Sequence, residues 1–448
     1  MKRLRIRRSG PLRGTVRLPG DKSIGHRALL LGALAEGRCT LRGFSAGLDN
    51  LATARALRAM GVAVEVVGDV AHVEGVGLRG LRMPAGAIDC GNSGTTMRLL
   101  AGLLVAQAFG TRLFGDTSLS RRPMRRIVEP LRARGGHIAG VSGQLEDQVY
   151  PPLSVAPLVA GETLLGLELD MPVASAQVKT AMLLSGLYAR ELTAIREPTL
   201  SRDHTERMLA SLGVPLETLG PMVVLDPKAF RGGWAAFDWE IPGDLSSAAF
   251  AIAAACAVPG SRVTIERVGV NPTRTGLLDA LRAMRARVEI VPKGVTESAE
   301  PVADIVVNAS SLAGARVGGE LLTRMIDEVP VLAALLSVAR GSSEIRDAAE
   351  LRVKESDRIA TMVRALRAFG VPADELDDGL TISAGGTLRG AEVSSDGDHR
   401  IAMSLGVLGL VAEGETVVND VDCIDTSYPG FVSALAALGA DIVEEVTS

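Results

Sequence analysis

The chain has 448 residues, 47% of them apolar and only 3% aromatic, enough for two or more domains with cores of Leu, Val, Ala and Ile. A net charge of -4 argues against a general nucleic-acid binder, though local basic clusters are still possible. Four scattered cysteines (Cys39, Cys90, Cys256 and Cys423) form no Cys-x-x-Cys pair, which argues against a disulfide framework or zinc site and fits a reducing, cytoplasmic setting.

The basic alternating stretch at 2–8 lacks a following apolar region, so it reads as an edge strand and not as a signal peptide. No run approaches a membrane span. A second alternating run, Gly14–Leu18, leads into Pro19-Gly20-Asp21-Lys22-Ser23, and the apolar segment Ala28–Ala35 follows. Lys22, Ser23 and Arg27 therefore stand where a strand gives way to a helix. The unpaired N–H groups and positive dipole of a helix start favour a phosphate or carboxylate there, and a plain polar cap is the alternative. The stretch is a poor match to a P-loop, because Asp21 separates Gly20 from Lys22.

This pattern of polar motif, apolar helix, Gly turn and β-rich run is written six times, at a spacing of about 70 to 83 residues. The predicted helices are Ala28–Ala35, Met97–Gln107, Thr180–Tyr188, Ala248–Ala257, Val331–Val338 and Ile401–Val411. They are apolar nearly all round, so they must be buried. A second, more polar helix in each repeat ends at Gly61, Gly135, Gly213, Gly370 or Gly439, the left-handed stop, with Arg285 as the exception. Each repeat thus reads as β–α–β–α–β–β. Pro19-Gly-Asp-Lys-Ser is echoed by Pro242-Gly-Asp-Leu-Ser, which predicts two halves of three repeats: 20–240, and 1–19 plus 241–448.

The charged residues beside the buried helices carry the chemistry. The first half contributes Lys22, Arg27, Asn92–Thr95, Arg121-Arg122, Ser175-Ala176-Gln177 with Lys179, and Arg202-Asp203-His204. The second contributes Asp327-Glu328, Arg352–Arg358 and Asp398-His399-Arg400. If the repeats are alike in space, their helix starts can converge on a site for one or two multiply charged small anions. Each motif alone also has a bland reading as a cap, turn or solvated helix face. Asp327, Lys354 and Glu355 are acid/base candidates. His26, His137 and His204 lack metal-ligand spacing, so no metal and no cofactor is expected.

Along nearly its whole length the chain resembles the 5-enolpyruvylshikimate-3-phosphate synthase family. The resemblance rests on Leu-Pro-Gly-Asp-Lys-Ser (18–23), Gly-Asn-Ser-Gly-Thr-Thr-Met-Arg (91–98), Arg-Arg-Pro-Met (121–124), Ser-Ala-Gln-Val-Lys (175–179), Arg-Asp-His-Thr-Glu (202–206), Asn-Pro-Thr-Arg (271–274), Ile-Asp-Glu-Val-Pro (326–330), Arg-Val-Lys-Glu-Ser-Asp-Arg (352–358) and Asp-His-Arg-Ile-Ala-Met (398–403). It implies an α/β fold of two similar domains, each of three βαβαββ units around buried helices, with the active site in a cleft between them. The implied reaction moves the enolpyruvyl group of phosphoenolpyruvate to the 5-hydroxyl of shikimate 3-phosphate by addition and elimination, before chorismate in the shikimate pathway.

By position, the resemblance makes Lys22, Ser23, Arg27, Ser175, Ala176, Gln177, Arg202, Asp327 and Lys354 shikimate 3-phosphate ligands. Lys22, Gly94, Arg122, Gln177, Arg358 and Arg400 become phosphoenolpyruvate ligands, and Asp327, Glu355 and Lys22 the catalytic groups. Lys22 and Glu355 both stay open as the proton donor to the methylene carbon. The partners implied are these two small anions, with no nucleic acid or membrane, for a cytoplasmic monomer. Several motifs resemble the glyphosate-tolerant class II branch, but Gly94 stands where some tolerant members have Ala, Thr426 where class I members have Lys, and Glu350 where some have Asn. The rival readings are a UDP-N-acetylglucosamine enolpyruvyl transferase and a non-catalytic binder of phosphorylated metabolites. Ser23 after Lys22 and the lack of Cys in 111–123 argue against the first, and Asp327 and Glu355 against the second.

Overall fold

The computed structural model describes residues 2–143, 147–159, 161–230, 232–383 and 386–446. They form two compact units, Lys22–Ile241 with Thr296–Glu300, and Met1–Asp21 with Pro242–Val295 and Pro301–Ser448. The chain passes between units after Asp21 and after Ile241. The five residues 296–300, placed in the second half by the sequence reading, pack with the first.

In the Lys22–Ile241 unit three helices form the inner layer: Lys22–Leu34, Gly94–Leu104 and Ala176–Gly186. Each begins ahead of its predicted start at Ala28, Met97 or Thr180, because the motif itself forms the first turn. Ser93 and Ser175 cap the second and third through their hydroxyls, which accept from the N–H groups of Thr96 and Val178. The helices are wrapped by core residues from every repeat of the unit. Gly102 lets two of them meet closely: a Cβ there would lie 2.5 Å from the Cα and carbonyl oxygen of Ala181.

The other unit repeats the plan with Leu245–Ala257, Val329–Val338 and His399–Gly409. All eleven residues of the last are buried. Asp244 and Asp398 cap two of these helices by accepting from the N–H groups of Ser246 and Arg400.

Among the described residues, six four-stranded sheets cover the helices, three in each unit. One pattern recurs: a parallel pair, then two antiparallel neighbours, as in Leu167–Asp170, Thr193–Arg196, Met222–Leu225 and Leu216–Leu219. The strands just before the first and fourth helices pair elsewhere. Arg13–Arg17 runs parallel to Arg262–Gly269, and Asp238–Glu240 runs parallel to Glu36–Arg42.

The N-terminal strand, Lys2–Arg7, corrects the expectation of an edge. It is an interior strand, antiparallel to Glu415–Asn419 on one side and to Ile442–Val446 on the other. Alternation of Leu4 and Ile6 with charged residues shows that one face is buried, but it says nothing about neighbours along the sheet. Here those neighbours come from the far end of the chain.

Candidate active site

In the Lys22–Ile241 unit the helix starts carry the predicted anion ligands. Lys22 is the first residue of its helix, and its ammonium lies 2.9 Å from Asp49 Oδ2 with both side chains largely buried. Arg27, one turn further in, is buried: it donates to Thr205 Oγ1 and Thr180 Oγ1 at 2.7 Å and to the Ser23 carbonyl at 2.9 Å. It braces three helices as well as lying beneath Ser23 and Ala176, whose carbonyl it also reaches at 3.4 Å.

Gly94 opens the second helix. Arg122 donates from Nη2 to Asn92 Oδ1 at 2.7 Å and to Ser118 Oγ at 3.2 Å. Gln177, in the first turn of the third helix, accepts from Arg98 Nη1 at 2.8 Å and donates from Nε2 to Thr95 Oγ1 at 2.8 Å. Arg98, Gln177 and Thr95 thus form one hydrogen-bonded group beside Gly94, which orients the Gln177 amide. Arg202 is half-buried at the turn before the helix His204–Ser211. Lys179, grouped with the basic residues in the sequence reading, is turned inward and bonds Glu197 and Glu206 at 2.6 Å each.

In the other unit, elements distant in sequence gather the acid/base candidates. Asp327 lies in the 3-10 turn Ile326–Glu328, Glu355 lies in the loop before the helix Arg358–Ala368, and Arg400 is in the first turn of His399–Gly409. Arg358 ties them together. It reaches Asp398 Oδ2 at 2.8 Å, Glu355 Oε2 at 2.8 Å and Asp327 Oδ1 at 3.4 Å, with its side chain only 1% exposed. Burial works against the guanidinium charge, but Asp398, Glu355 and Asp327 outweigh it and hold the pKa above the ordinary arginine value. Arg400 donates to the Asp327 carbonyl at 3.1 Å and lies 3.5 Å from Glu328 Oε1. Lys354 pairs with Glu350 at 2.8 Å, and the Thr426 hydroxyl bonds the Cys423 carbonyl within its own turn.

Two Arg and several carboxylates at hydrogen-bonding distance can bind an anion and also move a proton. Among the described residues no group of three or more His, Cys, Asp or Glu could hold a metal ion. The sequence reading assigned no role to Asp49, Arg98 or Glu197, and named Asp398 only within the charged motif Asp398-His399-Arg400. Arg98 had a local signal, one helical turn after Gly94. The partners of Asp49 and Glu197 depend on tertiary packing, as does the pairing of Asp398 with Arg358.

The EPSP synthase (3-phosphoshikimate 1-carboxyvinyltransferase) family model matches residues 6–435. The chain is 46% identical over 435 residues to a 3-phosphoshikimate 1-carboxyvinyltransferase of Brevibacillus brevis, covering 97% of this chain and 99% of that protein. It is 50% identical over 424 residues to one of Geobacter sulfurreducens, covering 95% and 96%. The EPSP synthase structure from Acinetobacter baumannii is similar over 100% of both chains, with a TM-score of 0.86 and 38% identity.

Proposed function

Proceeding from the fact that this chain belongs to the EPSP synthase (3-phosphoshikimate 1-carboxyvinyltransferase) family, we propose how its two groups of charged residues divide the work of one reaction. The reaction itself is transfer of the enolpyruvyl group of phosphoenolpyruvate to the 5-hydroxyl of shikimate 3-phosphate, a step in aromatic amino-acid biosynthesis. In addition, the 5-oxygen bonds C2 while C3 takes up a proton. In elimination, the C2–O bond to phosphate breaks and C3 gives a proton back.

In our reading the Lys22–Ile241 unit supplies the shikimate 3-phosphate ligands Lys22, Ser23, Arg27, Ser175, Ala176, Gln177 and Arg202. Gly94, Arg122 and Gln177, with Lys22, take phosphoenolpyruvate from the same unit. Arg358 and Arg400 take it from the other unit, where Asp327 and Lys354 contact shikimate 3-phosphate. Asp327 is the base for the 5-hydroxyl, and Glu355 and Lys22 are the groups that exchange the C3 proton. Fixed cations offset the phosphate and carboxylate charges, and they need no reorganisation as the reaction proceeds.

The observation that carries the acid/base assignment is the gathering of Asp327 and Glu355 on one buried guanidinium, Arg358. The reading includes a cytoplasmic monomer, with four unpaired cysteines in support of the compartment. No helix among the described residues is long and apolar enough to cross a membrane. No observation favours a nucleotide-sugar substrate or a non-catalytic binder.

The test is phosphate release from phosphoenolpyruvate with shikimate 3-phosphate, beside the same assay with UDP-N-acetylglucosamine, for the parent chain and Glu355→Gln. Release is expected with shikimate 3-phosphate alone. Glu355→Gln is expected to lower kcat about a hundredfold or more while KM for both substrates moves less than about threefold. Turnover that survives the substitution would remove Glu355 from the proton path.

A further inference from the structure

Ser175–Gln177, read above as shikimate 3-phosphate ligands, head a helix and so suit its phosphate, which leaves unexplained what holds that helix start in place. Glu197, just after the strand Thr193–Arg196, has a carboxylate only 1% exposed, and it accepts from four donors. Oε1 takes the Ser175 N–H at 3.2 Å and the Ser201 hydroxyl. Oε2 takes the Ser201 N–H at 3.1 Å and the Lys179 ammonium at 2.6 Å.

The N–H of the cap residue is therefore drawn inward. Ser175 stands in an extended conformation, φ -153 and ψ 105, from which its hydroxyl caps the helix at Val178. The N–H groups of the next two residues, Ala176 and Gln177, head the first turn. A carboxylate this close to an anion site would ordinarily repel the anion. Lys179, one turn along the same helix, answers that charge at 2.6 Å, so Glu197 can fix the backbone at little electrostatic cost to the ligand. The far side of the ammonium meets Glu206, whose carboxyl burial pushes up against the opposing pull of Lys179.

We propose that Glu197 is a positioning residue for the phosphate of shikimate 3-phosphate: it sets the Ser175 backbone and the helix start behind it, with Lys179 as its counter-ion and Ser201 as its second anchor. The proposal rests on the reading of Ser175–Gln177 as phosphate ligands and adds the device that pre-organises them.

The two can be separated by experiment. Glu197→Gln, Ser201→Ala and Ser175→Ala are compared with the parent chain by thermal unfolding, by calorimetric binding of shikimate 3-phosphate and of unphosphorylated shikimate, and by steady-state kinetics. For Glu197→Gln, affinity for shikimate 3-phosphate is expected to fall about tenfold or more, the scale of one hydrogen bond to a charged group. Affinity for shikimate is expected to stay within about twofold, because it does not probe the phosphate contact. Ser201→Ala removes the hydroxyl bond and leaves the Ser201 N–H bond and the ion pair, so it is expected to show the same selectivity at about threefold.

Equal losses for shikimate and its phosphate, or no loss in a folded Glu197→Gln, would overturn the proposal. If Glu197→Gln shows no cooperative unfolding, the selective loss in Ser201→Ala decides in its place, and an unselective or absent effect there overturns it. Selective weakening by Ser175→Ala without any by the other two would leave the phosphate reading standing and the positioning role refuted. No effect of Ser175→Ala on shikimate 3-phosphate would remove both.

Discussion

Arg358 keeps a charge where water scarcely reaches because carboxylates from three separate segments face it, and loss of any one partner leaves the charge less compensated. Gly94 is another residue whose role depends on its neighbours. A Cβ there would stand 2.8 Å from Arg98 Nη1 and 3.3 Å from Arg122 Nη1, the far ends of two flexible side chains. Gly94→Ala is thus expected to raise KM for phosphoenolpyruvate by about threefold to thirtyfold, with a melting temperature close to the parent's. Steady-state kinetics checks this, and an unchanged KM would separate Gly94 from that substrate. Glu206 makes a pH prediction. Burial, only partly offset by Lys179, raises its folded pKa above the unfolded value of about 4.3. Its contribution to stability is therefore fullest below that value and is lost as pH rises through the folded pKa. Glu206→Gln is expected to flatten stability against pH over that window, as measured by denaturant unfolding at stepped pH. A slope like the parent's would count against the shift.

Helices show the same division between local chemistry and packing. The polar helices end as the Gly pattern predicts, with positive φ at Gly61, Gly135, Gly213, Gly370 and Gly439. Arg285, the exception in sequence, takes the same left-handed conformation at φ 64. Backbone geometry at the end of a helix is thus set by the turn that must follow, and a side chain there is strained. Arg285 is exposed, so little packing is lost on its removal. Arg285→Gly is expected to stabilise the protein by up to about 1 kcal/mol, the relief of φ strain less the entropy of an added glycine. A shift of the urea midpoint to higher concentration would show it, and a fall would mean that Arg285 makes a contact worth more than the strain. The inner helices were legible because nothing but burial accounts for an all-apolar surface. Their first turns were less so, since capping residues are polar and look like loop.

For the whole molecule, the N-terminal strand is the clearest case of distant pairing. Leu4 and Ile6 are fully buried between strands that begin at Glu415 and end at Val446. Deleting residues 2–8 is expected to cost more than about 3 kcal/mol, from two buried side chains of about 1.5–3 kcal/mol each and a lost pair of ladders. Thermal unfolding of the truncated chain tests it, and a melting temperature like the parent's would mean that the strand is dispensable. The sequence alone determined the six repeats, the buried helices, the left-handed stops and, by resemblance, the reaction, because each is written in short-range periodicity or in contiguous motifs. Only the tertiary structure decided that Lys2–Arg7 is interior, that Arg13–Arg17 and Asp238–Glu240 join repeats other than those they precede, and that Lys179 faces Glu197 and Glu206. Those outcomes rest on contacts between segments far apart in the chain, and which distant partner a strand or charge meets is set by how the repeats pack, a choice that local pattern leaves open.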